Sequence, residues 1–488
     1  MSENITSIIF RMYNTGSVGD CLLLLFKKGK VITYKMLIDC GGWNTNSAAV
    51  TPCVQDIRTI CNGELDLLVV THQHEDHISG FNQARDEFEK IKVKEVWMSW
   101  IEDKSDDIAK ILKERYGKKL KQLKKTTELA IKVLKARGSS NIKGFGARVG
   151  TKQRTMQQTL DLINFEEGKT YGKRLAAGKS TNDDAMEYVR SKGKKLRYWR
   201  PGAVINDLAG AEGMKFYILG PPRDADMRYF KIDTEEDEMY HLAKLKEDKP
   251  EEKMPQDSIF KNDIGLEEGI SPFADNFKMD QAETNRFNRT YNSNDMKWRQ
   301  IETDWLESSA AIALRVNNLT NNTSLAMAIE FESGKVVLLP GDAQSGNWMG
   351  WHKTDVMKSL KEKGGKNTDE LLKDTIFYKV GHHGSHNGTA SKSGLDFINN
   401  KDLVAAMPLV QSKVPAAWGG SKNFPAKTLY DVLIEKTKGR IIRTDEGVIT
   451  KASAEQMRNQ LSSVEKKAFK DSYSKGKCFV EYRIDGRG

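Results

Sequence analysis

The first hundred residues alternate short apolar runs with turn signals. ITSIIFRMYN (5–14), CLLLLFKK (21–28), VITYKMLIDCGG (31–42), LDLLVVTH (65–72) and VKEVWMSW (93–100) have the length and composition of strands. A helix is expected between the last two, over 79–90. The pattern changes at Ser105. Apolar residues then recur at 108, 112, 116, 120, 123, 131 and 134, the period of a helix with one packed face. Ser105 is the expected N-cap, Asp106 and Asp107 suit the first turn, and Gly138 suits the stop. Periodicity weakens over 139–200. Strand pattern returns in GMKFYILGPP (213–222), yields to a polar, acid-rich stretch over 223–305, and resumes in AAIALRVNN (310–318), SLAMAIEFESGKVVLLPGD (324–342), TIFYKVGHHGS (375–385) and DLVAAMPLV (402–410). The tail reads as a helix over 452–470 and a last strand, CFVEYRI (478–484).

These shifts divide the chain into six parts. Residues 1–100 form the first half of an α/β core, 101–202 a basic helical insertion and 203–222 a core strand. An acidic and polar insertion spans 223–305, the second half of the core 306–450, and a C-terminal helix and strand 451–488. At 488 residues the chain is too long for one ordinary domain.

Charge alters this picture more than composition does. The formal net charge is +10, yet residues 111–200 alone hold 24 Lys and Arg against 8 Asp and Glu. One segment therefore carries the basic character. It suggests a polyanionic partner, with Lys118, Lys119, Lys124 and Lys125 as candidate phosphate contacts. The same lysines also fit a solvated helical face. The longest apolar runs fall far short of the ~20 residues of a membrane helix, and the first residues lack a basic segment followed by an apolar one. No membrane association is expected. Five scattered cysteines without a CxxC pair argue against a disulfide scaffold or a Cys-based zinc knuckle, so the cytoplasm is the expected compartment.

Three of the eight histidines fall within six positions, in VVTHQHEDHISGF (69–81). His72 and His74, at i and i+2, point the same way from extended backbone. Asp76 and His77 follow before ISGF begins a helix. Imidazole and carboxylate donors gathered at a strand end suit zinc, iron or manganese. Four donors facing two directions suit two adjacent ions. Two later strand ends carry further donors: Asp342 in VVLLPGDA and His382 and His383 in FYKVGHHGSHNGT.

THQHEDH, then LLPGDA, then VGHHGSH resembles the metallo-β-lactamase fold, and more narrowly the hydrolase domain of ComEC-type DNA-internalisation competence proteins. MYNTGSVGDCLLLLF and MLIDCGG are similar to that subfamily's opening strands. The resemblance covers roughly 1–100, 203–222 and 308–450 and neither insertion. It implies an α/β fold, the αβ/βα four-layer sandwich, interrupted here by two large insertions. It implies that His72 and His74 hold one divalent ion, that Asp76, His77 and His383 hold a second, and that Asp342 bridges them. Asp39 would stand behind a ligand histidine and orient it. His382 would face the substrate, and spacing alone does not decide between His382 and His383 as the ligand. Zinc is the first expectation and manganese the alternative. One departure matters: many members supply a third histidine to the first ion, and KFYILGPPRD has none. Only His241 lies in that interval, so a single ion per chain is the alternative. His352 stays unassigned, and His386 is close enough to the HHG loop to touch substrate.

The chemistry implied is hydrolysis by a metal-activated hydroxide, with Asp76 and His382 as the catalytic candidates for proton transfer. The resemblance and the basic segment favour phosphodiesters, hence a nuclease acting on DNA or RNA. Trp97, Trp100, Tyr198 and Trp199 are candidates for stacking on bases, or for the core. Stand-alone enzymes of this type look similar to effectors of antiphage defence, and the two insertions suggest protein partners. The alternatives are a hydrolase of a small molecule, such as a cyclic nucleotide, phosphocholine ester or lactone, and a nucleic-acid or partner-binding module with a vestigial metal site.

Overall fold

The computed structural model describes residues 4–138, 156–157, 159–165, 182–223, 317–415 and 418–487. The chain divides into two compact units. One comprises Met1–Gly117, Asp161–Leu242 and Arg315–Gly488, the other Lys118–Leu160 and Ala243–Leu314.

The first unit is a mixed α/β structure with two eight-stranded sheets. In chain order the strands are β1 (Ser7–Tyr13), β2 (Leu22–Lys28), β3 (Val31–Ile38), β4 (Glu64–Val69), β5 (Lys92–Ser99), β6 (Gly193–Trp199), β7 (Ala203–Ile205) and β8 (Lys215–Ile218). There follow β9 (Met327–Glu330), β10 (Val336–Leu339), β11 (Thr375–Lys379), β12 (Val404–Met407), β13 (Ile441–Arg443), β14 (Gly447–Val448), β15 (Tyr473–Lys475) and β16 (Phe479–Asp485). The first sheet runs β15-β16-β1-β2-β3-β4-β5-β6, the second β14-β13-β12-β11-β10-β9-β8-β7.

The apolar runs explain the layering. A strand covered on both faces has no polar side, so it reads as a continuous apolar stretch. In β2, Leu22, Leu24 and Phe26 enter a core shared with Phe216, Val337 and Phe377 of the second sheet. Leu23 and Leu25 pack the other way, with Val50, Val54 and Ile57 of the helix Ser47–Ile60 and Ile78 and Phe81 of the helix Glu75–Gln83. Phe10 and Phe377 meet across the sheets with ring centroids 4.8 Å apart. The far face of the second sheet, with Leu338, Tyr378 and Ala405, is covered by Trp348, Trp351, Leu360, Leu371 and Leu429. Each such buried leucine contributes about 1.5–3 kcal/mol relative to an exposed one.

Two segments belong to this unit although their sequence does not announce it. The strand β6, with the helix Asn182–Lys192, lies inside the stretch expected as an insertion. Ala185, Met186 and Val189 nonetheless pack into the first sheet's outer core, and β6 pairs in parallel with β5 from Val93↔Gly193 to Ser99↔Trp199. As an edge strand, GKKLRYW keeps lysines exposed, which hides its period. The tail strand β16 pairs antiparallel with β1 from Ser7↔Asp485 to Tyr13↔Phe479. Its Val480, Tyr482 and Ile484 join the core between the sheets.

Local boundaries also differ from the pattern reading. The helix after the histidine cluster starts at Glu75 rather than 79. The long helix Asp107–Gly138 is capped by Asp106, whose Oδ1 accepts from the backbone of Ile108 and Ala109, not by Ser105, whose hydroxyl donates to Asp103. Residues 317–321 are helical, so the last two positions of the strand expected over 310–318 belong to a helical turn instead. The acidic and polar insertion 223–305, apart from Arg223, and residues 310–316 of the expected strand lie outside the described residues.

In the second unit, Ile131 packs against Met156 and Leu160. Lys118 and Lys125 are exposed and Lys124 half-buried. The side chain of Lys119 lies outside the description.

Strands β3, β4 and β5 run parallel, as do β10, β11, β12 and β13. Asp39 follows β3, the histidine loop follows β4, Asp342 follows β10, and His382 and His383 follow β11. Carboxyl ends of parallel strands are where open α/β sheets place their ligand-binding loops.

Candidate metal centre

Residues separated by up to 307 positions meet here. Asp76, His77, Asp342 and His383 each offer a ligand atom, and these atoms all lie within 4.8 Å of one another. His77 Nε2 lies 3.1 Å from Asp342 Oδ2, and His383 Nε2 lies 3.0 Å from Asp76 Oδ2. The second ring nitrogen of each histidine is held from behind. His77 Nδ1 faces Asp39 Oδ2 at 2.8 Å, and His383 Nδ1 faces the carbonyl of Pro408 at 2.8 Å. Such partners fix the tautomer and aim Nε2 at a metal. Asp39 stands where it was expected, and His383 rather than His382 joins the cluster.

The backbone is bent to achieve this. Asp39, His382 and His383 adopt φ values of 54, 46 and 52°, a region that costs a non-glycine residue about 1–3 kcal/mol. The helix carrying Asp76 and His77 is pressed against the loops after β1 and β3. The amides of Asp20 and Cys40 donate to the carbonyls of Asp76 and His77. Gly41 permits that approach, because a Cβ there would sit 2.5 Å from the Asp76 carbonyl carbon and the His77 nitrogen.

His72 and His74 form a separate pair. Their facing nitrogens, Nε2 and Nδ1, are 2.9 Å apart. His72 Nδ1 lies 3.1 Å from the Thr71 hydroxyl and 3.2 Å from that of Ser324. His74 is the N-cap of Glu75–Gln83 but makes no capping bond with its side chain. The two rings adjoin the cluster, with the His72 and His77 centroids 4.2 Å apart.

Charge follows the same division. Burial opposes a proton on His77, but Asp342, Asp76 and Asp39 prevail and raise its pKa well above the ordinary value. His383 is raised in the same way, against burial, by Asp342 and Asp76. Burial, then the charges of His77 and His74, holds His72 well below its ordinary value. Burial resists ionisation of Asp342, yet His77, His383 and Lys379 carry its pKa well below the carboxylate range.

Lys379 was legible only as a strand residue. Its buried ammonium reaches Asp20 Oδ2 at 2.6 Å, Asp342 Oδ1 at 3.3 Å and the Gly341 carbonyl at 3.0 Å. Asp20, Asp39 and His77 also form a compact donor group, but Lys379 already supplies the positive charge beside Asp20. The first cluster is different. Asp76 Oδ1 is buried and has no hydrogen-bond partner among the described residues. An orphaned carboxylate oxygen next to two imidazoles and a second carboxylate fits a divalent cation. The buried His and Asp clusters could therefore hold a metal ion.

The remaining candidates are dispersed. His382 is half-buried, with Nδ1 3.0 Å from Asn387 Oδ1 and Nε2 3.4 Å from Asn321 Nδ2. Burial pushes its pKa down to about 4. His386 is half-buried. His352 bonds to Asp369 and the Ser393 carbonyl, which gives it a structural role away from the cluster. His241 lies outside the described residues. Trp97 and Trp100 are 0 and 1% exposed and belong to the core rather than to a stacking surface. Tyr198 and Trp199 are half-buried on β6.

Sequence reasoning missed two groups besides Lys379. One is the run NNLTNNTS (317–324). Asn322 accepts from the backbone of Gln344 and Asn347, Asn347 donates to the carbonyls of Asn322 and Ser324, and Ser324 accepts from the amide of Asp342. An amide-rich run at a strand entrance was its only signal. The other is aromatic. The Phe165 ring lies 4.8 Å from that of His74 and 4.8 Å from that of Trp43, and Trp418 completes the group at 5.2 Å from Trp43.

No protein-family model, curated protein or solved structure matches this chain at a significant level. Among the described residues, no helix is long and apolar enough to cross a membrane.

Proposed function

We propose that this chain is a metal-dependent hydrolase of the metallo-β-lactamase type that cleaves phosphodiester bonds, acting as a nuclease on DNA or RNA. The observation that carries the reading is the convergence of Asp76, His77, Asp342 and His383 around a buried carboxylate oxygen without a protein partner. The helix and sheet layers, with all the donors at the carboxyl ends of parallel strands, agree with the ComEC-type resemblance. The polymeric substrate rests on the basic segment, whose net charge of +16 over 111–200 suits a phosphate backbone.

Asp76, His77, Asp342 and His383 would hold one divalent cation, and His72 and His74, with Asp342 shared, a second. Zinc is proposed first and manganese as the alternative. Such cations supply Lewis-acid activation of water and neutralise charge building on the phosphate oxygens. The protein's own part is orientation. Asp39 fixes the His77 ring, and Lys379 holds Asp342 Oδ1 so that Oδ2 faces the histidines. His382, on the more open side, is neutral in the free protein. An arriving phosphodiester anion raises its affinity for a proton, the direction needed to protonate a leaving oxygen.

One observation favours a small substrate instead. His72, His74 and Asp76 are each no more than 2% exposed, and Phe165 lies against His74. A centre so enclosed suits a cyclic nucleotide or another small ester.

The test is cleavage of supercoiled plasmid and of single-stranded RNA by the purified chain with Zn²⁺ or Mn²⁺, beside an Asp76→Ala/His77→Ala variant. Cleavage by the wild type alone supports the nuclease. Turnover of a cyclic nucleotide without polymer cleavage supports the second reading. Absence of both, with less than one ion per chain, overturns the enzyme reading. A cytoplasmic role in antiphage defence, with protein partners at the insertions, extends the proposal. Unchanged phage titre on mutation of Asp342 would remove that extension.

A further inference from the structure

An apolar cleft opens directly beside the histidine loop. It is open to solvent and is walled by Ile101, Leu112, Tyr116 and Leu319, with Gln73 and Thr320 among its polar margins. All six residues lie in the first unit. The walls come from three separate places: the turn after β5, the first turns of the helix Asp107–Gly138, and the short helical stretch at 317–321. Ile101 and Leu112 are part of one small core with Trp100 and Ala109, and Leu319 packs against it. These walls are therefore anchored and need no rearrangement to form. The Thr320 hydroxyl donates to the Tyr116 oxygen at 2.8 Å, which fixes the phenol ring.

The cleft adjoins the metal centre on two sides. Gln73 stands between His72 and His74 in the chain. Thr320 precedes Asn321, whose Nδ2 lies 3.4 Å from His382 Nε2. Gln73 is half-buried, and among the described residues its side-chain amide has no hydrogen-bond partner. An amide has two donors and an acceptor in one plane. Left unpaired at the mouth of an apolar slot, it suits a ligand with flat apolar faces and a polar edge.

We infer that this cleft is a nucleobase subsite, which holds the base of the nucleotide whose phosphate lies at the metal centre. The inference rests on the phosphodiesterase reading and names the part of the substrate that the centre itself does not touch. Glu102 and Lys113 of the lining are paired with each other, Thr320 with Tyr116 and Thr323 with the Thr320 carbonyl, so a sugar would find most of the polar groups already engaged. An acyl chain would leave the Gln73 amide unused. A base packs its faces against Leu319 and Tyr116, and Gln73 pairs with its edge, as amide side chains do with adenine.

Two measurements test it. The first compares kcat/KM for thymidine 5′-p-nitrophenyl phosphate and methyl p-nitrophenyl phosphate, which share a leaving group and differ in the nucleoside. The wild type should prefer the nucleoside ester by about tenfold or more. Leu319→Trp, which fills the cleft, should bring that ratio close to unity, and the ratio cancels any loss of folded enzyme. The second is calorimetric binding of deoxyadenosine 5′-monophosphate and 2-deoxyribose 5-phosphate in EDTA. The base-bearing ligand should bind about tenfold tighter to the wild type, and Gln73→Ala and Leu319→Trp should narrow the gap. Equal use of both esters, or equal binding of both ligands, overturns the subsite while leaving phosphodiester cleavage intact. If neither ester is hydrolysed by metal-loaded protein, the phosphodiesterase reading fails, and the binding comparison still decides the cleft.

Discussion

Two groups of histidines stand side by side in this protein and differ in what surrounds them. His77 and His383 face carboxylates at 3.1 and 3.0 Å and are backed by Asp39 and the Pro408 carbonyl. His72 and His74 face each other at 2.9 Å, and His72 Nδ1 is met by the hydroxyls of Thr71 and Ser324. The first group is preorganised for a cation: its charges are balanced, its rings are oriented, and one oxygen waits unpaired. The second pairs two imidazoles, and burial holds His72 well below its ordinary pKa. Adjacent positions in one short motif thus fall into two groups with unequal surroundings, and environment rather than residue type creates the inequality.

The sharpest way to break this comparison is to remove a ligand from each side. Asp342→Ala should lower hydrolysis by about a thousandfold or more and, if both ions share its carboxylate as proposed, empty both sites. His74→Ala should be milder, about a hundredfold, and should reduce metal content from about two ions per chain to one. Elemental analysis with matched kinetics checks both. Equal losses would show that the sites are not unequal.

Lys379→Met comes next. It leaves Asp20 and Asp342 buried without their cation, and breaking a buried pair from one side costs about 3–5 kcal/mol. Denaturant unfolding in EDTA should show that loss. Saturating metal should recover part of it, since the ion restores positive charge beside Asp342. Asp39→Asn removes the charge behind His77 and should weaken metal affinity by about 10–100-fold, read by competition with a chromophoric chelator, with little change at the His72–His74 pair.

The smallest effect is the pH dependence of the metal-free fold, and its sign differs between the groups. The raised pKa values of His77 and His383 give stability that is complete below the ordinary value of 6.5 and lost as pH rises through their folded values. The lowered pKa of His72 acts oppositely: the unfolded chain takes up a proton below 6.5 that the folded protein refuses, so acidification costs stability. In EDTA, His77→Gln should flatten the decline above that value, and His72→Gln the decline below it. Thermal unfolding across pH 5–9 would measure both.

The candidate donors were legible because they are local. HxHxDH puts four donors at one strand end, and GD and HHG each end a strand of their own, so short stretches carried the chemistry without knowledge of the fold. Lys379 was not legible, because inside TIFYKV it is one polar residue in an apolar strand, and its meaning depends on Asp20 of a distant hairpin. The Asn-rich run at 317–324 reads as loop until the loops it ties together are known. The two sheets were visible as apolar runs and β16 as a last strand, but β6 was not, since this edge strand keeps its lysines exposed, and nothing in CFVEYRI shows that it pairs with β1. Trp97 and Trp100 show what sequence leaves open: aromatic residues near a basic stretch fit either a stacking surface or the core, and packing places both in the core.

The pairing of β16 with β1 has a temporal meaning. During synthesis the residues of β1 leave the ribosome long before Phe479–Asp485 exist to lie beside them, and the sheet stays open on that side. Val480, Tyr482 and Ile484 supply part of the core between the sheets only when translation has nearly reached them. Until then β1 lacks its neighbour on that side, and a ribosome stalled before Phe479 would release a fragment whose first sheet is unpaired there.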